Sequence, residues 1–262
     1  MAETRVEREK SWHDERFSNP QIRDDEASKF YSICQSVSTE YQNFIFTHSA
    51  DRNVLEYGCG TGSQAFDIIE QDVSSVTGID ISGTAIEQAN LMIEERGLQN
   101  RPIMFKVMNA EELEFPNNSI DTICGSAILH HLDIHKSMKS ITRTLKPSGS
   151  AVFVEPLGHN LLINLYRNLT PNIRTEDEHP LLKSDIKLIE QYFGKVEIRF
   201  FYLFSLIAVP FAKMSIFNPL LNFLESLDRL ILKVPVLKWQ AWQVMLELSE
   251  PIQQPNDQNS NT

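Results

Sequence analysis

Residues 54–62 read Val-Leu-Glu-Tyr-Gly-Cys-Gly-Thr-Gly, an apolar run that ends on Glu56 and then places glycine at alternate positions, Gly58, Gly60 and Gly62. This pattern narrows the choice of fold more than any other in the chain. Alternating glycines let the backbone turn sharply out of a strand and approach a ligand with no Cβ in the way, leaving the N–H groups of the following helix free to face it. A second run, Gly78-Ile79-Asp80-Ile81, ends in a carboxylate about 20 residues beyond the turn, where a doubly wound sheet keeps its ribose-binding acid. A dinucleotide pyrophosphate wants Gly-x-Gly-x-x-Gly, and an acid just before the turn repels phosphate. Glu56 instead favours a ligand bearing an ammonium group.

With these residues in place, the chain resembles the class I S-adenosylmethionine (SAM) dependent methyltransferases, whose first motif is an acid followed by Gly-x-Gly-x-Gly. The likeness continues in order through Asn109-Ala110-Glu111-Glu112-Leu113-Glu114-Phe115-Pro116, Ser119-Ile120-Asp121-Thr122-Ile123 and Leu145-Lys146-Pro147-Ser148-Gly149-Ser150, covering residues 50–160. The nearest group in character contains the ubiquinone and menaquinone C-methyltransferases and many natural-product methyltransferases. The resemblance implies SAM as cofactor and a binding set of Glu56, Gly58, Cys59, Gly60, Thr61, Gly62, Asp80, Ile81, Asn109, Ala110, Glu111, Ser126 and His131. Within it the glycines line the methionine end, Glu56 sits beneath, Asp80 takes the ribose hydroxyls, and Asn109 to Glu111 flank the adenine. Many relatives have Asp at the position of Asn109, whose side-chain oxygen still accepts from the adenine amino group without charge assistance.

The formal net charge of −11 argues against a nucleic-acid partner, because phosphate-backbone affinity comes from clustered Lys and Arg. Three cysteines, Cys34, Cys59 and Cys124, are scattered and lack Cys-x-x-Cys spacing, so neither a disulfide framework nor a zinc site is expected. No carboxylate set has metal-ligand spacing, and no metal is expected. Residues 1–10 are charged with no apolar core, which argues against a secretory signal and for a cytoplasmic enzyme.

The periodicity predicts an α/β, doubly wound, Rossmann-like sheet, mostly parallel with an antiparallel last strand. Its strands are expected at 53–57, 75–80, 102–107, 121–126, 150–155, 195–201 and 241–248. A helix is expected around 27–47, a helix stop at Gly97 and a loop at Lys146-Pro147-Ser148-Gly149. Residues 1–26 read as a charged arm, 27–254 as one methyltransferase domain, and 255–262 as a polar disordered tail.

Segments leaving the carboxyl ends of the strands build substrate chambers in such sheets. Two are long here, at 156–182 and 202–239. In the second, Leu220, Phe223, Leu224, Leu227, Leu230 and Ile231 fall on one helical stripe opposite Asn222, Glu225, Ser226, Asp228 and Arg229. The stripe reads as sheet cover, dimer contact, lid over a greasy substrate or peripheral membrane face. No run is long enough for a transmembrane span.

Methyl transfer from a sulfonium needs a base only if the acceptor must lose a proton. The candidates are His179, then Glu155, His159 and Glu178; His130 and His131 read as mainly structural, with His131 near the cofactor. The expected substrate is a small lipophilic molecule: isoprenoid, quinone, polyketide or prenylated alkaloid, methylated on O, N or C. The competing readings are an RNA methyltransferase, disfavoured by charge, and a non-catalytic SAM-binding regulatory or assembly subunit.

Overall fold

The strand that carries the glycine turn, β1 (Asn53–Tyr57), is buried on both faces, from Val54 to Tyr57. A strand covered on both sides reads as a continuous apolar run rather than an alternation, which is the mark of a central parallel strand. The chain, described by a computed structural model over residues 3–19, 30–170, 175 and 177–253, places β1 third in a seven-stranded sheet. The other strands are β2 (Ser75–Asp80), β3 (Ile103–Val107), β4 (Ile120–Ser126), β5 (Leu145–Pro156), β6 (Phe193–Phe201) and β7 (Gln243–Pro251), in spatial order β3-β2-β1-β4-β5-β7-β6. β7 runs antiparallel between β5 and β6, with Ser150 opposite Ser249 and Lys195 opposite Ser249. The expected alternation of strands and helices is therefore present. The segment 146–149 differs: these residues belong to β5, with a register irregularity between Ile120 and Thr122 on its partner.

Alternate residues of each strand feed two cores. Val54, Val76, Val152 and Met245 pack with α2 (Gln35–Thr47), α3 (Ser63–Ile69) and α4 (Gly83–Glu95), through Tyr41, Phe66 and Ala89 among others. Leu55, Ile79, Phe153 and Leu246 face the opposite way onto α5 (Ile134–Thr144) and α7 (Lys183–Ile189), where Met138, Ile141 and Ile186 close the layer. α4 stops as expected: Gly97 takes φ +68°, and the N–H groups of Gly97 and Leu98 donate to Glu94 and Ile93. Among the described residues the remaining α-helices are α1 (Arg5–Ser18), α6 (Leu161–Leu169) and α8 (Phe217–Ile231).

Two sequence expectations change here. Residues 5–18 of the expected arm form a helix, opened by a capping box in which Thr4 accepts from the Glu7 N–H and the Glu7 side chain accepts from the Thr4 N–H. The inner face of α8 is rotated from the expected stripe: Leu221, Leu224 and Asp228 are buried, while Phe223 and Leu230 are 66% and 63% exposed. The reason is Asp228, whose carboxylate accepts from the N–H groups of Leu203, Phe204 and Ser205 and from the Ser205 hydroxyl. It caps the 3₁₀ turn Ser205–Phe211, and satisfying those donors turns an acid inward where hydrophobicity alone would turn it out. Expectations for residues 20–26 of the arm, 27–29 of the next helix and the tail 255–262 lie outside the described residues. Among the described residues no helix is long and apolar enough to cross a membrane.

Candidate active site

Strand order reverses at β1, which has β2 on one side and β4 on the other. Loops leaving the carboxyl ends of neighbouring strands diverge at such a point and open a crevice. A cavity of about 500 Å³ lies there, within the ~300–1,000 Å³ range of small-ligand sites. Of the expected cofactor residues, Glu56, Gly58, Cys59, Gly60, Thr61, Asp80, Ile81, Asn109, Ala110, Glu111, Ser126 and His131 line it.

Gly62 does not. It takes φ +81° at the start of α3, and a Cβ there would lie 2.4 Å from the Phe105 ring, so packing and the turn require this glycine rather than the ligand face. Gly58, at φ +75°, lines the cavity, and a Cβ there would lie 2.7 Å from Ile128.

Asp80 organises the turn it faces. Its Oδ2 accepts from the Gly60 N–H at 2.8 Å and its Oδ1 from the Ser82 N–H at 2.9 Å, which leaves further lone pairs on both oxygens for hydroxyl donors. Glu56 is 6% exposed and accepts from the Ala65 N–H at 2.7 Å. Burial pushes its carboxyl from the ordinary 4.5 up to about 8; the Ala65 and Gln64 N–H groups oppose the rise, and the nearby Asp80 adds to it. Asn109 Oδ1 accepts from the Glu111 N–H at 3.0 Å, and Glu111 accepts from the Asp133 N–H at 2.7 Å and pairs with Arg5.

The cavity wall opposite the turn was not foreseen. It is α1, which contributes Arg5, Val6, Glu9, His13, Arg16 and Phe17. Besides the Arg5–Glu111 pair, Arg8 forms two bonds to Asp177 at 2.7 and 2.8 Å, and Asp14 accepts from the Ser82 hydroxyl and the Thr84 N–H at the start of α4. Phe17 covers Gly60, where an added Cβ would meet its ring at 3.1 Å. The Thr4–Glu7 capping box and the four-residue spacing of Glu9, His13 and Phe17 were the available signals.

The candidate bases are distributed differently from expectation. His179 is exposed and lines neither this cavity nor its neighbours; its backbone N–H donates to the His130 carbonyl. His159 is also away from the cavity, accepting from the Lys183 N–H at 3.1 Å. Glu155 is fully buried and serves other residues: one oxygen accepts from the Ile128 and Leu129 N–H groups, and the other lies 2.7 Å from His130 Nδ1. The imidazole of His130 thus stands between two carboxylates, with Nδ1 toward Glu155 and Nε2 3.9 Å from Glu178 Oε1.

His130 borders both the main cavity and an adjoining one of about 130 Å³, walled by Phe30, Tyr31, Tyr166 and Trp242 with Arg167 and Glu178. Arg167 and Glu178 pair at 2.9 Å. Burial alone would raise the Glu178 carboxyl, but His130, Arg167 and His131 outweigh it and leave it below its ordinary range. The segment after β5 therefore reaches this smaller chamber through Ile163, Tyr166, Arg167 and Glu178, whereas no described residue of 202–239 lines either cavity. Arg174 and Glu176 of the same segment lie outside the described residues.

A sheet of this order is the Rossmann-like fold of the class I methyltransferases. Residues 55–153 match the methyltransferase domain family. It is 28% identical over 127 residues to 27-O-demethylrifamycin SV methyltransferase of Amycolatopsis mediterranei, covering 48% of this chain and 46% of that protein. The chain spans about half or less of the length of the first curated relatives it matches. In fold it is similar to phosphoethanolamine N-methyltransferase 2 of Haemonchus contortus in complex with phosphomonomethylethanolamine and S-adenosylhomocysteine, with a TM-score of 0.63 at 17% identity over 92% of this chain and 60% of that one. It is also similar to geranyl diphosphate C-methyltransferase of Streptomyces coelicolor, with a TM-score of 0.56 at 12% identity over 89% and 86% of the two chains.

Proposed function

We propose that this protein transfers a methyl group from SAM to a small lipophilic acceptor. The observation that carries the reading is the meeting, around one cavity, of the Gly58–Thr61 turn, the Asp80 and Glu56 carboxylates and a histidine held by a buried glutamate. SAM, when bound, supplies a methyl group already activated on a sulfonium. The protein then has to bind, orient and exclude water. Gly58 and Gly60 admit the ligand to the backbone, Asp80 offers lone pairs to ribose hydroxyls, and Glu56 gives an ammonium group a buried acidic neighbour.

The aromatic walls of the adjoining chamber suit a flat or prenyl-like acceptor, and Arg167 and Glu178 supply a polar end. The relatives act in the same direction, since their names include a rifamycin and a geranyl diphosphate methyltransferase. His130 is the group best placed to take a proton from a hydroxyl acceptor, through Nε2, with Glu155 as the residue that positions it. The formal charge of −11 weighs against RNA as acceptor. The free, buried cysteines Cys34, Cys59 and Cys124 support the cytoplasmic reading.

The test is incubation of the full chain with methyl-labelled SAM and fractionated lipophilic extracts, followed by mass spectrometry. Labelled small-molecule products that disappear in a His130→Ala protein support the reading. A protein that binds SAM and labels nothing across hydroxylated, aminated and prenylated acceptors would favour the non-catalytic alternative.

A further inference from the structure

Glu9 and His13 stand one turn apart on α1 and face His131, which follows β4 from the opposite side of the cavity. Glu9 Oε2 lies 3.1 Å from His131 Nδ1 and 3.5 Å from His13 Nε2, and one donor atom from each of the three residues falls within 4.8 Å of the others. Glu9 and His131 are 4% and 8% exposed.

The alignment of these groups is the informative part. Glu9 Oε2 and His131 Nδ1 are both buried and 3.1 Å apart, and no hydrogen bond of good geometry joins either to a partner. Two polar atoms at that distance which do not point at each other are costly to bury, unless both point at a third object. Ligands bound to one metal ion have that relationship: at metal–ligand distances of about 2.0–2.2 Å, neighbouring donor atoms stand about 3–3.5 Å apart with their lone pairs converging between them. The other oxygen, Glu9 Oε1, accepts from the Thr175 hydroxyl at 2.6 Å, the kind of outer contact that fixes a ligating carboxylate.

We propose that Glu9, His13 and His131 form a site for a divalent transition metal of the Zn²⁺ or Fe²⁺ type on the wall of the methyl-transfer cavity. Two imidazoles and one carboxylate select such ions over Mg²⁺ and Ca²⁺, which prefer all-oxygen sites. Three protein ligands leave coordination positions open, and the cavity is the space they face. Such an ion would hold a hydroxyl or enol oxygen of the acceptor and favour its deprotonation. The acceptor would then be an oxygen nucleophile with a neighbouring carbonyl or hydroxyl to complete a chelate; this consequence rests on the methyltransferase reading, whereas the site itself does not.

The experiment uses chelator-treated full-length protein with Zn²⁺ alone, measured by equilibrium dialysis and elemental mass spectrometry, and with Co²⁺ alone as a visible-absorption probe. One ion per chain is expected, with ligand-field bands for Co²⁺. Glu9→Gln and His13→Ala should each weaken binding about a hundredfold or more, Thr175→Ala about tenfold, and His48→Ala not at all. His13 is partly exposed, so His13→Ala retains its fold and serves if Glu9→Gln does not. Absence of stoichiometric metal, or affinity unchanged in a folded His13→Ala protein, would assign the three residues to latching α1 and overturn the proposal. SAM affinity, titrated separately in the metal-free protein, reports on the methyltransferase reading independently.

Discussion

His130 Nδ1 lies 2.7 Å from Glu155 Oε2, and Glu155 has no exposed surface. The imidazole is thereby held by Glu155 where it borders both cavities, with Nε2 3.9 Å from Glu178 Oε1. His130→Ala should lower turnover on a hydroxyl acceptor about a hundredfold with SAM affinity retained, and His179→Ala should leave turnover unchanged. Glu155→Gln keeps an acceptor for the Ile128 and Leu129 N–H groups but removes the charge behind His130. Its effect should fall on turnover and its pH profile rather than on the KM for SAM.

Glu56 makes stability depend on pH in a defined sense. Burial raises its carboxyl from 4.5 to about 8, so between those values the folded protein keeps a proton that the unfolded chain has released. The native state binds more protons than the unfolded state, and the stability present below pH 4.5 is lost progressively as pH rises to about 8. Melting curves across that window should show a fall in Tm that is flattened in Glu56→Gln. A ligand ammonium beside Glu56 favours the ionised form, so SAM binding near neutral pH should release a proton, read as a buffer-dependent heat in calorimetry.

The central strands were legible because residues buried on both faces write themselves as apolar runs, as in Val54–Tyr57. The position of Asp80, at the end of β2 and facing the glycine turn, was legible because it depends on spacing along one supersecondary unit. What was not legible depends on contacts distant in sequence. Glu155 is 25 residues from His130, and nothing local marks one as the other's partner. Helix α1 was hidden by its charge: its polar side chains cover a polar cavity, so it has no greasy stripe to reveal it. In α8 the stripe was real but misplaced, because a buried hydrogen-bonding carboxylate outweighed hydrophobicity in setting the inward face.

That rotation has its own consequence. Phe223→Ser should cost little stability, since the side chain is 66% exposed, and it should leave turnover unaltered, since no described residue of 202–239 lines the cavity. Leu224→Ala should cost about 2–4 kcal/mol by opening the core. Asp228→Ala should cost about 3 kcal/mol or more, because it leaves the N–H groups of Leu203, Phe204 and Ser205 without their acceptor. Denaturant titrations measure all three.

Helix α1 closes the cavity through polar contacts that are individually weak. An exposed ion pair contributes about 0–1 kcal/mol, so breaking Arg8–Asp177 and the Asp14 contacts together should speed SAM release by roughly fivefold to tenfold without unfolding the sheet. Stopped-flow dissociation from Arg8→Ala/Asp14→Ala measures it, and an unchanged rate would mean that α1 does not gate the site.

The central claim is that the turn after β1 and the carboxylate ending β2 together hold SAM. Calorimetric titration of SAM into the wild type and into Asp80→Ala tests it most directly, with a melting curve to establish that the variant is folded. The expected result is one site in the wild type, weakened by about 1.5–3 kcal/mol in the variant, the scale of a charged hydrogen bond. A wild type that does not bind SAM, or a folded Asp80→Ala that binds it equally well, would contradict the assignment.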